Sequence, residues 1–384
     1  MLDISKVLSR SWHILWKYRI LWIFGFFLAM GAGSSNPSFN WQQNWNRGFG
    51  QRPWNFDVPR MFGQTPEQVT NMLIVSAVVL GVVILFWALG SALLRYVSEV
   101  TTIRAVNDYE ATGVKLGFKQ LWKNGWNRTA WRLFLIDLLF SLPFIVMVLL
   151  FGLLGLWVYL ATTSGSQGFL IFSGITAAGL ALLFILFFIL LAIALGVIRN
   201  FAARICVLEG VGVIDSIKQG YAMVRRHLKQ VFFIWLVMIG IGIGWALATI
   251  IIFLPLLLVV MLTIVPGIIA GAIPGLLATG LAAIFTPSPW YWIIGAIVAL
   301  PLFFLVAFSP IILVGGWQQI FKTSVWTETY RELKALEVVK AKPVLPVEAP
   351  KPVRKVVVKP AASKPAVKKT TSRPVAKPKS PPKK

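Results

Sequence analysis

Few side chains in this sequence have the type and spacing that chemistry requires. The two histidines, His13 and His227, each lie in a basic stretch without a nearby acidic or cysteine partner, and Cys206 is the only cysteine. A metal site needs three or four ligands, and a disulfide needs two cysteines. Neither a phosphate-binding glycine loop nor a G-x-S-x-G nucleophile motif occurs. We therefore assign no catalytic residue, no cofactor and no metal, and we expect a protein that is not an enzyme.

One acidic residue lies near the interior of an apolar segment. Asp137 follows Arg132 by five residues, which places it about 7–8 Å deeper along a helix. Acidic residues within a membrane are functional candidates by default. Because Asp137 is shallow and basic residues are near it, we predict a structural ion pair with Arg132, or with a basic residue from another repeat such as Lys229.

The elements that must position these side chains are membrane helices. Hydrophobic residues make up 57% of the 384 positions and charged residues 13%, about half the charged fraction of a soluble domain. No Lys, Arg, Asp, Glu or His occurs between residues 231 and 321. Since a spanning helix needs about 20 apolar residues, we predict an all-α bundle with six spans. These spans are residues 18–33, 72–94, 133–162, 168–198, 231–253 and 290–315.

Two parts of this assignment have alternatives. The small residues at Ala29–Gly33 also fit a signal-peptide cleavage region. Residues 254–285 are apolar enough to span, but Pro255, Pro266 and Pro274 interrupt them. Because the basic flanks on both sides of this region should face the cytoplasm, an even number of crossings separates them, and we predict a re-entrant or interfacial hairpin at 254–285.

Three glycines in the same stretch follow a four-residue spacing. Such a spacing forms a small-residue face that lets another helix approach closely. The alternative is that glycine is simply common in membrane helices. The predicted packing residues are Gly267, Gly271 and Gly275.

Basic residues are distributed unequally between the loops. With the N-terminus inside, all of the 37 Lys and Arg except Arg47, Arg52 and Arg60 lie on the inner side. Cytoplasmic flanks of membrane proteins collect Lys and Arg. We therefore predict a bacterial cytoplasmic membrane protein with both termini in the cytoplasm. The outer loop, residues 34–70, carries aromatic residues among Asn, Gln and Gly, and we expect it to lie on the membrane surface, with sugar or peptide binding as the alternative.

Three segments that precede odd-numbered spans resemble one another. They begin at Ile4, Val114 and Val213, and their apolar residues recur at helical spacing with basic residues on the other faces. Such helices lie in the membrane interface, with aromatic rings at headgroup level and basic residues toward anionic lipid; packing beneath the bundle is the alternative. We predict three parallel hairpin-like repeats, each led by an amphipathic interfacial helix. Their interfacial aromatic residues are Trp12, Trp16, Trp122, Trp126 and Tyr221.

The C-terminal segment differs in composition from the membrane domain, residues 1–337. Between Lys340 and Lys384 there are 14 Lys or Arg, one acidic residue and ten prolines. Such a segment cannot bury enough apolar surface to fold, so we expect residues 338–384 to be disordered. A basic tail binds polyanions such as anionic lipid, RNA or the ribosome; a solvated spacer without a partner is the alternative. It contains no aromatic residue for base stacking.

Two sequence runs carry a resemblance to known proteins. WKYRILWIFGFFLA at Trp16–Ala29 and WTETYRELKAL at Trp326–Leu336, together with the amphipathic helices, resemble a group of uncharacterised six-helix bacterial integral membrane proteins. That group is similar to the membrane domain associated with some glycerophosphoryl diester phosphodiesterases and to YciC-type inner-membrane proteins. The resemblance covers residues 1–337 and implies an architecture and a bacterial membrane. The phosphodiesterase domain is absent here, so no activity is implied.

These observations give one leading hypothesis and two alternatives. The leading hypothesis is a non-enzymatic integral membrane protein that organises or scaffolds the bilayer and binds an anionic cytoplasmic partner through its tail. The first alternative is a small-solute transporter or channel, which requires a solvated cavity lined by residues 254–285 and reached by a polar side chain such as Asp137. The second is a membrane-biogenesis factor that tethers ribosomes through its tail.

Overall fold

Apolar chain in lipid forms helices because its backbone N–H and C=O groups find no water to bond. The computed structural model describes residues 3–31, 66–163, 165–286 and 290–341. These residues form ten helices and no strand. The helices are α1 (Ile4–Lys17), α2 (Leu21–Gly31), α3 (Pro66–Thr112), α4 (Phe118–Gly125), α5 (Arg128–Thr163), α6 (Gln167–Glu209), α7 (Val213–Arg226), α8 (Leu228–Ala282), α9 (Trp290–Ala307) and α10 (Ser309–Ala341).

Two predicted segments fall largely outside this description. Most of the outer loop, residues 34–65, is not described, and residues 66–70 form the start of α3. Of the predicted disordered tail, residues 338–384, the first four belong to α10, which contradicts the prediction there, and residues 342–384 are not described. The disorder of residues 342–384 therefore stays a prediction.

The prediction of an all-α membrane bundle is confirmed. Five helices, α3, α5, α6, α8 and α9, are long and apolar enough to cross a membrane. The pair α1 and α2 is a sixth candidate, bent by 104° at the break between them. The most apolar windows of the five long helices are at most 17% buried within the protein. A soluble protein does not expose that much contiguous apolar surface, so lipid is the solvent for these helices.

The corner between α1 and α2 is fixed by Tyr18. Its side chain is buried, and its hydroxyl donates to the Leu116 carbonyl oxygen (3.0 Å) and accepts from the Leu116 N–H (2.8 Å). At the other end of α1, the Asp3 carboxylate accepts from the Lys6 N–H and caps the helix. An amphipathic helix is thereby held at a sharp angle to the apolar helix that follows it.

The break predicted at Pro255 does not occur. Residues 231–253 and 254–282 belong to one helix, α8, which is 55 residues long and contains three prolines. Each proline removes one backbone hydrogen bond and favours a kink, but helices in membranes accommodate such sites. At a rise of 1.5 Å per residue α8 is about 80 Å long, against a hydrocarbon core of about 30 Å. The predicted hairpin within residues 254–285 is therefore replaced by a continuous helix, with α9 as its partner.

The last predicted span, residues 290–315, is divided into two helices. α9 ends at Ala307 and α10 begins at Ser309. Pro310 lies in the first turn of α10, where a missing N–H costs nothing. The hydrogen bonds Phe308 N–H to Phe304 C=O and Ile312 N–H to Phe308 C=O bridge the break, so the interruption is local.

The tightly packed part of the molecule lies at one end of the bundle. There the three short amphipathic helices α1, α4 and α7 pack with the charged ends of α3 and α6 and with α10. Central members of this core are Ile14, Leu121, Phe201, Met223 and Tyr330. This end of the bundle, unlike the apolar spans, has an interior that protein fills, and it holds the buried charges.

Candidate functional site

The charged cluster in this packed end is built around Arg199 of α6. Its guanidinium lies between Glu99 of α3 and Asp137 of α5. Nη1 and Nη2 donate to Glu99 Oε1 and Oε2 at 2.7 and 2.9 Å, while Nε and Nη2 donate to Asp137 Oδ1 and Oδ2 at 2.7 and 3.0 Å. These are two fork-like pairs on one guanidinium, the strongest geometry that arginine and carboxylates form. The pairs join three helices at one point.

Two further side chains complete the pairing of Asp137. The Tyr96 hydroxyl donates to Asp137 Oδ2 at 3.2 Å, and Arg95 Nη2 lies 3.8 Å from the same oxygen. Arg95 also donates to the Gly31 carbonyl oxygen at 3.3 Å and lies over the Tyr96 ring. With two arginines and two carboxylates, this part of the cluster is neutral. Glu99 is the more enclosed acid, with its side chain 7% exposed.

A third arginine lies deeper in the same region, without a direct ion pair to a carboxylate among the described residues. Arg204 is 2% exposed, and its Nη1 donates to the backbone carbonyl and the side-chain oxygen of Asn200. Its Nη2 donates to the Thr323 carbonyl oxygen at 3.4 Å, while its Nε is buried without a hydrogen-bond partner among the described residues. The hydrogen-bond partners of this buried guanidinium are therefore neutral oxygens, and the carboxylate of Glu99 acts on it only through space.

A small cavity of about 170 Å³ separates these arginines from α10. On the α10 side it is lined by Lys322, Gln319 and Thr323. Burial lowers the pKa of Lys322. The polar lining residues of the cavity are Arg95, Glu99, Arg199, Asn200, Arg204, Gln319, Lys322 and Thr323.

A larger open groove of about 930 Å³ adjoins the cluster on another side. Its polar end contains Arg95, Tyr96, Asp137 and Arg199, and its walls are apolar toward Phe144 of α5 and Ala192 of α6. Asp137 to Phe144 and Arg199 to Ala192 are both seven residues, which is about 10 Å along a helix. The groove therefore runs from a charged end along apolar walls. The cavity and the groove share Arg95, Arg199 and Asn200.

The predicted ion pair between Asp137 and Arg132 is wrong. Arg132 Nη1 instead donates to the carbonyl oxygens of Gly210 and Val211, at 2.7 and 3.3 Å. Five residues of helix rotate the chain by about 500°, so two such side chains point about 140° apart. Asp137 faces α3 and α6, and Arg132 faces the α6–α7 turn. Lys229, the other suggested partner, is exposed on α8.

The predicted interfacial aromatic residues have different environments. Trp12, Trp16, Trp126 and Tyr221 are between 43% and 59% exposed. Trp122 is partly buried, where it packs against Phe24 and Phe118. The faces of these helices that pack on the bundle carry other residues, including Ser11 and Ile14 of α1, Leu121 of α4, and Ser216, Gly220 and Met223 of α7.

The three spaced glycines lie on the face of α8 that contacts α9. A Cβ on Gly271 would lie 2.9 Å from the Ala299 carbonyl oxygen, and one on Gly275 would lie 2.7 Å from the Ala299 Cβ. A Cβ on Gly267 would meet the Phe303 carbonyl oxygen at 3.2 Å. The two backbones therefore approach too closely for larger residues at these positions.

A third group of charges attaches α10 to the amphipathic helices. Glu328 is 1% exposed, and its carboxylate lies 3.6 Å from Arg331 and 4.0 Å from Arg10. Burial raises its pKa to about 7, because these guanidinium groups only partly offset the loss of water and the acids Glu110 and Glu332 lie nearby. Nearby on α10, the Tyr330 hydroxyl donates to Glu209 of α6. The described residues contain no group of three or more His, Cys, Asp or Glu arranged to hold a metal ion.

Sequence reasoning missed Glu99, Arg199 and Arg204 as members of a site. A signal was present for Glu99, since it is the only acid between residues 71 and 107 and follows Arg95 by four residues, on the same helix face. In the sequence, the basic residues of α6 fit the pattern of cytoplasmic flanking charges. Nothing in the sequence indicates which of them turns inward.

Comparison with known proteins gives a single finding. No curated protein sequence and no solved structure matches the chain. A family model, described as a family of unknown function (DUF7544), matches residues 13–327. The match includes every member of the charged cluster and the three predicted helix-packing glycines. It also includes the predicted interfacial aromatic residues, except Trp12. This integral membrane protein belongs to the family of unknown function DUF7544.

Proposed function

We propose that this protein is a non-enzymatic membrane-organising protein of a bacterial cytoplasmic membrane, with both termini in the cytoplasm. Its amphipathic helices would hold anionic lipid headgroups. The observation that carries the proposal is the two-sided character of α1, α4 and α7. One face of each helix packs on the bundle, while the other faces present exposed aromatic rings beside Lys and Arg. That combination matches a lipid headgroup layer. The suggested relationship to the membrane domains and YciC-type proteins named above is part of this proposal.

Lipid co-purification from a mild detergent tests the proposal. Lys119 and Lys123 are exposed on α4, and each basic residue at an anionic surface contributes about 1 kcal/mol. The double variant Lys119→Gln/Lys123→Gln should retain severalfold less phosphatidylglycerol relative to phosphatidylcholine than the unchanged chain. The matched control, Arg47→Gln/Arg52→Gln, removes the same charge on the opposite predicted side and should retain the original ratio. Equal lipid ratios in all three proteins would contradict the proposal.

A small-solute transporter is the second candidate, and one observation favours it. Asp137 and Arg199 reach the open groove of about 930 Å³ between α3, α5 and α6. The hypothesis also required residues 254–285 to line the cavity, and none of them lines this groove. A transporter should make proteoliposomes swell faster than empty vesicles in potassium salts or neutral sugars. Loss of this swelling in Asp137→Asn would support the transporter hypothesis. Swelling equal to that of empty vesicles would end this candidate.

The ribosome-tethering hypothesis depends on the tail alone. The segment from Lys340 to Lys384 carries 14 basic residues and one acid, which suits RNA by charge. Ribosomes should co-sediment with the full chain and not with a chain that ends at Val339. Equal recovery with both chains would rule the hypothesis out.

A further inference from the structure

The small cavity between α3, α6 and α10 has an excess of positive charge. Four cations line it, Arg95, Arg199, Arg204 and Lys322, against the single carboxylate of Glu99. Asp137, behind Arg199 and Arg95, offsets one further charge. Arg204 and Lys322 have no carboxylate partner among the described residues.

This excess requires a counter-charge. An uncompensated ion inside a protein costs several kcal/mol, and a guanidinium does not escape this cost by losing its proton. The Arg204 Nε–H is fully enclosed and unpaired. The Lys322 ammonium and the Gln319 amide also line the cavity without a hydrogen-bond partner in the described part of the chain. Residues from two helices, Arg204 of α6 and Gln319 and Lys322 of α10, thus line one space.

We propose that this cavity binds a phosphate-type oxyanion, held by the Lys322 ammonium and the Gln319 amide, with the guanidinium charge of Arg204 behind them. Converging N–H donors with surplus positive charge select a tetrahedral or planar oxyanion over a neutral ligand. The cavity shares Arg95, Arg199 and Asn200 with the apolar-walled groove. The phosphate can therefore come from the headgroup of a phospholipid whose chains lie in the groove, or from free inorganic phosphate. This site is separate from the amphipathic helices on which the proposed function rests.

Two binding measurements on the full chain in neutral detergent test the proposal and distinguish the two sources. The first is calorimetric titration of delipidated protein with sodium phosphate, against sodium chloride at equal ionic strength. The second is native mass spectrometry of protein mixed with phosphatidylglycerol or with diacylglycerol of the same chains, which lacks the phosphate. Saturable binding of sodium phosphate would identify free inorganic phosphate as the ligand of the cavity. Binding of phosphatidylglycerol in clear preference to diacylglycerol, without a phosphate response, identifies the headgroup.

Arg204→Gln should weaken the binding of phosphate or of phosphatidylglycerol at least about tenfold, because the cavity loses one of its two surplus positive charges. Arg225→Gln removes the same charge from an exposed position on α7 and should leave binding unchanged. Lys322→Gln, at a less buried position, provides the same comparison if Arg204→Gln fails to elute as a single gel-filtration peak. Three results would each overturn the proposal. They are the absence of binding in both measurements, binding by both cavity variants at the original strength, and equal weakening of binding by Arg225→Gln.

Discussion

Removal of the Arg199 side chain should destabilise the packed end of the bundle. In Arg199→Leu, Asp137 keeps Arg95 at 3.8 Å and the Tyr96 hydroxyl at 3.2 Å. Glu99 loses both of its hydrogen bonds, and its carboxylate is left 7% exposed without a direct ion pair among the described residues. Removal of one partner of a buried ion pair lowers the free energy of unfolding by about 3–5 kcal/mol. Since Arg199 is itself 20% exposed, we expect the lower end, about 3 kcal/mol.

The same reasoning predicts recovery when the orphaned acid is also removed. Glu99→Gln/Arg199→Leu removes one charge of each sign, so the net charge of the cluster is unchanged, and replacement of a whole buried pair is often neutral. We expect the double variant to regain most of the lost stability, with a coupling free energy of at least about 2 kcal/mol. Arg199→Lys keeps the charge but cannot form two forks, so it should fall between the unchanged chain and Arg199→Leu.

The assay is thermal unfolding of the full chain in detergent, followed by far-UV circular dichroism or by the monodisperse gel-filtration peak that survives heating. For a large domain, about 3 kcal/mol corresponds to a fall in Tm of roughly 5–10 °C. Arg225→Leu, at an exposed guanidinium, is the control and should shift Tm by less than about 2 °C. The reasoning fails if Arg199→Leu behaves like this control, or if the double variant is less stable than Arg199→Leu.

Three further predictions follow from other contacts. Burial raises the pKa of Glu328 to about 7, so the folded protein keeps this proton between about pH 4.5 and 7, whereas the unfolded chain loses it. The stability of the unchanged chain therefore falls as pH rises through that range. Glu328→Gln should be more stable than the unchanged chain by about 3 kcal/mol at pH 8, and equally stable at pH 4.5. Gly271→Ala should cost about 1–3 kcal/mol in thermal unfolding, since its Cβ would lie 2.9 Å from the Ala299 carbonyl oxygen. For the predicted topology, a maleimide should label Ser38→Cys in intact cells, and Ser380→Cys only after permeabilisation.

Each of these measurements has an internal control. Four other charged residues face Glu328, namely Arg10, Arg331, Glu110 and Glu332. The quantity to compare is therefore the difference in stability between Glu328→Gln and the unchanged chain at each pH. A stability difference that does not change with pH would contradict the prediction. Gly280→Ala places a Cβ in open space and should slightly stabilise its helix. The native Cys206 is buried and gives the labelling background; label on Ser380→Cys in intact cells would reverse the orientation.

Local physics made the membrane helices predictable. Runs of apolar residues such as those of α5, α6 and α8 have no soluble alternative, and in lipid they satisfy their backbone only as helices. The amphipathic helices were predictable for a similar reason, because their apolar residues recur at helical spacing. The break predicted at Pro255 failed because a proline disfavours helix locally, whereas the surrounding apolar chain in lipid favours its continuation.

The charged cluster depended on tertiary structure. A sequence shows that Asp137 needs a cation, but the cation comes from α6, 62 residues away along the chain, and no local pattern ranks Arg199 above a distant basic residue such as Lys229. Helical rotation alone excludes Arg132, since five residues turn its side chain about 140° away. The cavity beside Arg204 exists only because α10 returns to pack beside α3 and α6. The sequence by itself determined that this chain lies in lipid and where its helices form, because those choices are made residue by residue. Which charges meet was decided only by the packing of helices that are distant in sequence.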